Sequence, residues 1–166
     1  MFATTSQTVP ELFAERLKRS AASECYRVKR DGQWVSTTWG AFHDRVDTVA
    51  AGLLELGIER GDAVAILGGT QPEWCAADLG IIALGGTTVG IYPTLMADQI
   101  AFMMSDSGCR ILFVEAPYAA DCMGLLEAVE SLERVVVWGG EQAGALSFDA
   151  LCEQGQAKLL LSPNCI

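Results

Sequence analysis

Apolar residues recur every three to four positions in two segments of the first 60 residues. This is the period of a helix with one buried face, and it predicts helices over residues 10–19 and from Thr38 to about Gly57. Pro10 suits the first turn of the shorter helix, and Thr38 is a residue type that caps a helix N-terminus. Gly57 suits the end of the longer helix, because glycine tolerates a left-handed backbone.

A β-hairpin is predicted between these two helices. Its strands cover residues 25–28 and 34–36, and Asp31-Gly32 between them favours a tight turn with positive φ angles. We therefore expect residues 1–60 to form one unit of helix, hairpin and long helix.

Beyond residue 60 the pattern changes to short apolar runs that alternate with helical stretches. The strand candidates are residues 63–67, 87–91, 110–114 and 134–137. The intervening helix candidates are residues 71–84, 95–106 and 119–130. Unbroken apolar runs are typical of strands covered on both faces, so this alternation predicts an α/β fold with a mostly parallel sheet built of βαβ units.

The pattern loosens after the last of these strands. Residues 139–144 are typical of a surface loop, and Ser147 is predicted to cap a short helix that ends near Cys152. We expect residues 61–156 to form a Rossmann-like βαβ unit. Residues 157–166 are expected to be an irregular tail, because they are apolar and contain no helix stop or turn signal.

Charge is distributed unevenly along the chain, whose formal net charge is −10. Residues 1–60 contain eight Lys or Arg and eight Asp or Glu, whereas residues 61–166 contain three and thirteen. Nucleic-acid binding needs clustered basic residues that neutralise phosphates. The mixed patch of Arg27, Lys29 and Arg30 is too small for this, so no nucleic-acid partner is expected.

Six cysteines are scattered singly, without the paired spacing that zinc sites require. They are expected to be reduced thiols, and no metal site is predicted. The first residues lack the basic and apolar regions of a signal peptide, and no stretch reads as a membrane span. A cytoplasmic location is therefore expected, with contact at a membrane surface left open.

Ligands of open parallel sheets bind beyond the carboxyl ends of the strands, so the loops there are the first candidates for a site. Gly68 and Gly69 precede a predicted helix, where backbone N–H groups can approach a phosphate. This loop has neither a phosphate-loop pattern nor a basic residue nearby. Thr70 and Glu73 have the spacing of a capping box, so we interpret the segment as a helix start.

The next loop supplies the two candidate crevice residues. Tyr92 follows a predicted strand, and Thr94 is placed to cap the helix after it. A tyrosine at such a place often only packs, with its hydroxyl near water. Tyr92 and Thr94 are nevertheless the residues that the pattern places at the crevice.

Other reactive side chains form no catalytic arrangement in the sequence. His43 is the single histidine and lies on the flank of the apolar stripe of the long helix, where a core-edge or solvated role is the simpler interpretation. Glu127 and Glu130 share a helix face, but they lack a third oxygen donor that would complete a cation site. We predict no catalytic, cofactor-binding or metal-ligating residue from these patterns.

Five short segments stand out in order along residues 38–115. They are residues 38–42 (TWGAF), 53–66 (LLELGIERGDAVAI), 72–74 (PEW), 90–94 (GIYPT) and 106–115 (DSGCRILFVE). In content, order and spacing they resemble the long-chain acyl-CoA synthetase branch of the AMP-binding, adenylate-forming superfamily. Ala41 replaces the acidic residue usual in that family and Thr70 the usual Asn, and both changes concern helix starts.

The resemblance implies the N-terminal part of a fatty acid or other carboxylate–CoA ligase. Such an enzyme activates a carboxylate with ATP and Mg and transfers it to CoA, so these are the implied cofactors and a fatty acid is the implied substrate. The family's phosphate loop, rich in Ser, Thr and Gly and ending in Lys, has no counterpart in this sequence. No catalytic residue can be carried over, and we expect the chain to be inactive alone.

Two hypotheses remain open from the sequence. The first is an N-terminal fragment of such a ligase, and the second is a free-standing Rossmann-like module that binds a nucleotide or a protein. The first predicts apolar patches and unpaired strand edges, and hence self-association. The acyl chain length is not specified by these segments.

Overall fold

The structure, a computed structural model, describes residues 7–163 together with 165 and 166. Residues 1–6 of the first predicted unit therefore lie outside the described residues. The first elements are helix α1 (Val9–Ser20), strands β1 (Glu24–Arg30) and β2 (Gln33–Thr38), and helix α2 (Trp39–Glu55). The two strands form an antiparallel hairpin, as predicted.

Local signals in this part act as the sequence indicates. The turn of the hairpin has positive φ at Asp31 and Gly32, 49° and 79°, which an Asp-Gly pair adopts readily. The Thr38 hydroxyl accepts a hydrogen bond from the backbone N–H of Ala41 at 3.2 Å and so caps α2. Gly57 follows α2 with a φ of 80°, confirming the predicted helix end.

A five-stranded parallel sheet forms the centre of the protein. Its elements are β3 (Ala63–Leu67), α3 (Pro72–Ala83), β4 (Thr87–Ile91), α4 (Ala97–Ser107), β5 (Ile111–Glu115), α5 (Ala116–Cys122), α6 (Leu125–Ala128), β6 (Arg134–Trp138), β7 (Leu146–Ser147) and α7 (Phe148–Leu161). The strand order is β4-β3-β5-β6-β7. The α/β class and the parallel sheet of βαβ units are thereby confirmed.

Each face of the sheet is covered by helices. Val64 and Ile66 of β3 pack with α2, α3 and α7, whereas Ala65 and Leu67 pack with α4, α5 and α6. The connecting helix changes face where the chain changes direction across the sheet, as a constant crossover hand requires. The apolar runs of β3 and β5 are buried on both sides for this reason.

Two predicted helix caps are wrong. Helix α3 begins after Gln71 and has no capping side chain, so Thr70 and Glu73 do not form a capping box. Helix α4 begins at Ala97, and the Gln99 side chain accepts a hydrogen bond from Met96 N–H at 3.0 Å. Thr94 cannot serve as its cap, because it lies inside a turn closed by a hydrogen bond from Leu95 N–H to Tyr92 O.

Two predicted helix lengths also differ from the structure. The helix expected over residues 119–130 is divided into α5 and α6, with Gly124 at the junction, since glycine weakens a helix interior. Helix α7 does not stop near Cys152 but continues to Leu161, so residues 157–161 are helical rather than irregular. Packing against α2 and a Lys158–Glu55 ion pair hold this extension. The division of the chain into units at residues 60 and 156 remains a prediction.

An arginine joins three elements at the amino ends of the strands. Arg110 donates hydrogen bonds to Gly57 O at 2.7 Å, to Asp62 and to both carboxylate oxygens of Glu133. Partial burial raises the pKa of Asp62, but bonds from the Glu59 N–H and from Arg110 outweigh it and hold this pKa below its ordinary value. Hydrogen bonds from Arg110 likewise lower the pKa of Glu133.

Replacing Arg110 with alanine should lower the free energy of unfolding by about 1–2 kcal/mol at neutral pH, since charge-assisted bonds are lost from a part-exposed group. A carboxyl with a lowered pKa stabilises the fold above its ordinary pKa of about 4, and this contribution fades as the pH falls through the folded-state value. The difference between parent and variant should therefore narrow towards about pH 3. Urea unfolding at several pH values measures it.

Arg134→Ala is the matched control, because Arg134 is exposed and its only described side-chain bond goes to the neighbouring Glu133 O. Its effect should stay below about 0.5 kcal/mol. Equal losses in the two variants would contradict the role assigned to Arg110.

Candidate functional site

The chain reverses its direction across the sheet between β3 and β5. Strand β3 leads to β4 on one side, whereas β5 leads to β6 on the other. Where loops leave neighbouring parallel strands in opposite directions, they open a crevice at the carboxyl ends. Here the crevice is bounded by the loop 68–71, by Glu115 at the end of β5 and by Trp138 at the end of β6. We call it the switch-point crevice.

A carboxylate already binds the loop of this crevice. Glu115 Oε2 accepts a hydrogen bond from the Gly69 N–H at 2.9 Å, and its Oε1 accepts one from Gln71 Nε2 at 2.6 Å. A phosphate at this loop would need the same N–H group and would meet the negative charge of Glu115. The loop is therefore fixed from within the protein, which excludes the phosphate-loop interpretation in this conformation.

A buried indole packs against the loop of this crevice. Trp138 is 1% exposed, and its ring lies against the backbone of Gly68. A Cβ atom on Gly68 would approach the Trp138 ring to 2.5 Å, so only glycine fits there without movement. The Trp138 indole N–H is buried and finds no hydrogen-bond partner among the described residues. The indole therefore constrains the backbone of the loop at Gly68.

A polar cavity of about 330 Å³ lies beside the crevice, at the end of β6 and the start of α7. Arg30 and Arg45 line it together with Glu73 and Asp149. Arg45 Nη2 lies 3.6 Å from a carboxylate oxygen of each acid. Two positive and two negative groups balance, so the cavity gives no net attraction for an anion.

An apolar cavity of about 360 Å³ lies on the opposite face of the sheet, between the start of α4 and helices α5 and α6. Its walls include Leu67, Ile100, Cys122 and Leu125. Burial raises the pKa of the Cys122 thiol to about 11, so the thiol is neutral near pH 7 and is a poor nucleophile.

The two predicted crevice residues follow β4, the edge strand next to β3. Tyr92 is 76% exposed, and Thr94 is also exposed. The apolar cavity is lined by Pro93 and Leu95 from the same loop rather than by Tyr92 or Thr94. The structure does not bring the two residues into the hydrogen-bonded network of Glu115, and their contact with a ligand stays a prediction.

His43 and the acidic pair Glu127 and Glu130 form no catalytic or cation-binding arrangement with other described residues. The His43 ring stacks on Phe13 with centroids 5.4 Å apart, and its Nδ1 lies 3.2 Å from Asp47. Glu127 and Glu130 are exposed. No group of His, Cys, Asp and Glu within the described residues could hold a metal ion.

Among the described residues, every helix is either too short or too polar to span a lipid bilayer.

Sequence reasoning missed Glu115 as the central residue of the crevice. In the sequence it was the acidic end of an apolar run and the last residue of the family-like segment 106–115, and its partners Gly69 and Gln71 lie 46 and 44 positions earlier. Predicting the contact would have required knowing that β5 lies beside β3.

Comparisons with known proteins agree on one family. The model of the family described as AMP-binding enzyme matches residues 13–159. The long-chain-fatty-acid–CoA ligase FadD15 of Mycobacterium bovis is 35% identical over 126 residues, which cover 75% of this chain and 21% of that protein. The long-chain-fatty-acid–CoA ligase ACSBG2 of Rattus norvegicus is 35% identical over 111 residues, covering 67% of this chain and 17% of that protein.

Solved structures show the same fold. The anthranilate–CoA ligase AuaEII, solved with anthranoyl-AMP, superposes with a TM-score of 0.80 at 23% identity, over 91% of this chain and 29% of that one. This chain spans about a fifth of the length of the curated relatives that it matches. By its sequence and its fold, the chain belongs to the AMP-binding enzyme family, in the long-chain acyl-CoA synthetase branch.

Proposed function

We propose that this chain supplies the N-terminal part of an ATP-dependent long-chain fatty-acid–CoA ligase and is inactive alone. The observation that carries the proposal is the 35% identity to the FadD15 ligase, which extends over 75% of this chain but only 21% of the ligase. ATP, Mg and CoA are then cofactors of the whole enzyme, and a fatty acid is its substrate.

The geometry of the crevice supports the second statement of this proposal, that the chain is inactive alone. Adenylation needs groups that hold the phosphates of ATP and stabilise the charge that develops on them. In this chain the Gly69 N–H is occupied by the Glu115 carboxylate. In the neighbouring polar cavity, Arg45 is paired with Glu73 and Asp149. Positive groups for the phosphates would therefore come from other parts of the ligase.

The edge of the sheet supports the expectation of further protein around this chain. Strand β4 (TTVGI) is an edge strand without a charged residue or a proline, the devices that usually protect an edge. Near it in the chain, Tyr92, Met96 and Phe102 are each more than two-thirds exposed. These features fit a contact with the remainder of a ligase. In the isolated chain they favour self-association, which stays a prediction.

A comparison of the isolated chain with a chimera tests the proposal. In the chimera, this chain replaces the matching segment of the FadD15 ligase. The purified chain should release no pyrophosphate from ATP in the presence of palmitate. The chimera should release it in a palmitate-dependent manner, because the phosphate-binding groups are restored. A coupled pyrophosphate assay measures both rates.

The control is the FadD15 ligase with the same segment deleted, which should be inactive. Turnover by the isolated chain, or its saturable binding of ATP in a calorimeter, would instead favour a free-standing nucleotide-binding module. A folded chimera without activity would contradict the ligase assignment.

A further inference from the structure

The polar cavity beside the switch-point crevice contains an ion pair that is not joined by hydrogen bonds. Arg45 Nη2 lies 3.6 Å from Glu73 Oε1, which is longer than a hydrogen bond. The two side chains are 33% and 17% exposed, so most of their surface is withdrawn from water. Asp149 also lies 3.6 Å from Arg45 Nη2, but its side chain is 86% exposed. Arg45 and Glu73 are therefore the inner ion pair of the cavity, and Asp149 lies at its mouth.

Two N–H groups on residues that line this cavity also lack a partner. The Nε atom of Arg45 is buried and has no hydrogen-bond partner among the described residues. The same is true of the indole Nε1 atom of Trp138, a residue that is 1% exposed. Trp138 packs on the sheet face that α2, α3 and α7 cover, and the cavity is lined from these helices by Arg45, Glu73 and Phe148. Since buried N–H groups in proteins are nearly always paired, these two point to a ligand that accepts hydrogen bonds.

We propose that this cavity binds a small zwitterion with neighbouring carboxylate and ammonium groups, of the α-amino-acid type. The ligand carboxylate accepts hydrogen bonds from Arg45 and from the Trp138 indole, and the ligand ammonium donates to Glu73. An ion pair withdrawn from water is favourable only when further hydrogen bonds satisfy its remaining donors and acceptors. A zwitterion supplies both kinds of group at once.

The charges of the cavity disfavour a ligand that carries only one sign of charge. An anion bound at Arg45 Nη2 would lie next to the carboxylates of Glu73 and Asp149, which repel it. A cation bound at Glu73 would likewise lie next to the Arg45 guanidinium. A zwitterion places one charged group beside each member of the inner ion pair, so its attractions offset both repulsions.

The size and walls of the cavity favour a small apolar side chain on the ligand. The volume of about 330 Å³ is at the lower end of the range for small-molecule sites. Val137 and Phe148 also line the cavity and provide apolar contacts. Leucine has this combination of a zwitterionic head and a short apolar side chain. The inference uses neither Glu115 nor the Gly69 loop, and it does not depend on the proposed function.

Isothermal titration calorimetry of the full chain with three matched compounds tests this inference. Leucine should bind saturably, with a dissociation constant of about 1 mM or lower for a ligand of about nine non-hydrogen atoms. Isocaproate has the same body without the ammonium group, and isopentylamine has it without the carboxylate. Each should bind at least about tenfold more weakly than leucine, because one member of the inner ion pair then repels the ligand without compensation.

A nuclear magnetic resonance titration locates the bound ligand. The Nε1–H resonance of Trp138 should shift on addition of leucine, whereas that of Trp34, which is 67% exposed on the hairpin, should not. Loss of one signal in Trp138→Phe assigns the resonance. Leucine binding that leaves the Trp138 signal unmoved would overturn the assignment of the cavity.

Substitutions of the inner ion pair should change the preference among the three compounds and not only the affinity. Glu73→Gln should weaken leucine binding about tenfold or more and should strengthen isocaproate binding, because a carboxylate that repels the anion is removed. Arg45→Gln should weaken leucine binding and strengthen isopentylamine binding for the converse reason. A merely structural role of the two residues would not produce these opposite changes.

The matched control is Glu130→Gln, which makes the same change in charge as Glu73→Gln at an exposed position outside the cavity. It should alter leucine binding by less than about twofold, because salt screens distant charges. Circular dichroism melts verify that all variants fold. The inference would be overturned by a parent chain that does not bind leucine, by equal affinities for leucine and isocaproate, or by equal losses in Glu73→Gln and Glu130→Gln.

Discussion

Replacing Gly155 with alanine is expected to reduce the free energy of unfolding by at least about 4 kcal/mol. Gly155 of α7 is buried at its crossing with α2, where a Cβ atom would lie 1.8 Å from the Thr48 carbonyl oxygen and 2.8 Å from the Gly52 nitrogen. Both of these are backbone atoms, so a side-chain rotation cannot relieve the clash. The helices would have to separate along the contact that holds α7 to the protein.

Domains of this size are stable by only about 5–15 kcal/mol, so this loss is a large part of the total. Urea unfolding followed by circular dichroism measures the loss of stability, and a poor soluble yield of the variant alone would agree with such a loss.

Gly124→Ala is the matched control. A Cβ atom on Gly124 would meet nothing within 4 Å, and its φ of −63° suits any residue. This control should be neutral or stabilising by about 0.5 kcal/mol. A Gly155→Ala protein whose free energy of unfolding lies within about 1 kcal/mol of the parent's would refute the packing argument, because a change that small is typical of a surface substitution.

Gly68→Ala is expected to cost about 3 kcal/mol and to change the shape of the switch-point crevice. The new Cβ atom would lie 2.5 Å from the Trp138 ring and 2.9 Å from the Cβ of Glu115. Trp138 is fully buried and cannot rotate freely, so the ring or the loop must shift. The change should appear in the near-ultraviolet circular dichroism of the tryptophans as well as in urea unfolding.

The neighbouring glycine provides the control for this prediction. A Cβ atom on Gly69 would lie 3.5 Å from Glu115 Oε2, an ordinary contact, and the N–H that binds Glu115 is retained. Gly69→Ala should therefore cost less than about 1 kcal/mol and leave the tryptophan spectrum unchanged. If the two variants behaved alike, Trp138 would not be the structural constraint on this loop.

Helix caps show where local sequence signals are sufficient and where they fail. Thr38 caps α2 as predicted, and Asp31-Gly32 forms the predicted turn, because both act through bonds or dihedral angles within a few residues. Thr70 and Thr94 had the same local signals but cap nothing. The Thr70 loop is instead held by Glu115. Residues around Thr94 form a turn before α4 begins.

The candidate site was less predictable than the fold for a similar reason. The sequence placed Tyr92 and Thr94 at the carboxyl end of a strand, which is correct, but it did not identify β4 as the edge of the sheet. Nor did it show that β3 and β5 are neighbours with diverging loops. Because the crevice is defined by that adjacency, Glu115 emerges only from the strand order.

By itself, the sequence determined the alternation of strands and helices, the hairpin, the long α2 helix and the resemblance to acyl-CoA synthetases. The helices, strands and hairpin follow from periodicity and turn residues, which act within a few positions of the chain. The resemblance follows from motifs that can be compared with the family's motifs one segment at a time. Tertiary structure decided the strand order, the continuation of α7 to Leu161 and the closure of the Gly69 loop by Glu115. Each of these depends on packing between segments far apart in the chain, and such contacts leave no period or spacing in the sequence of either segment.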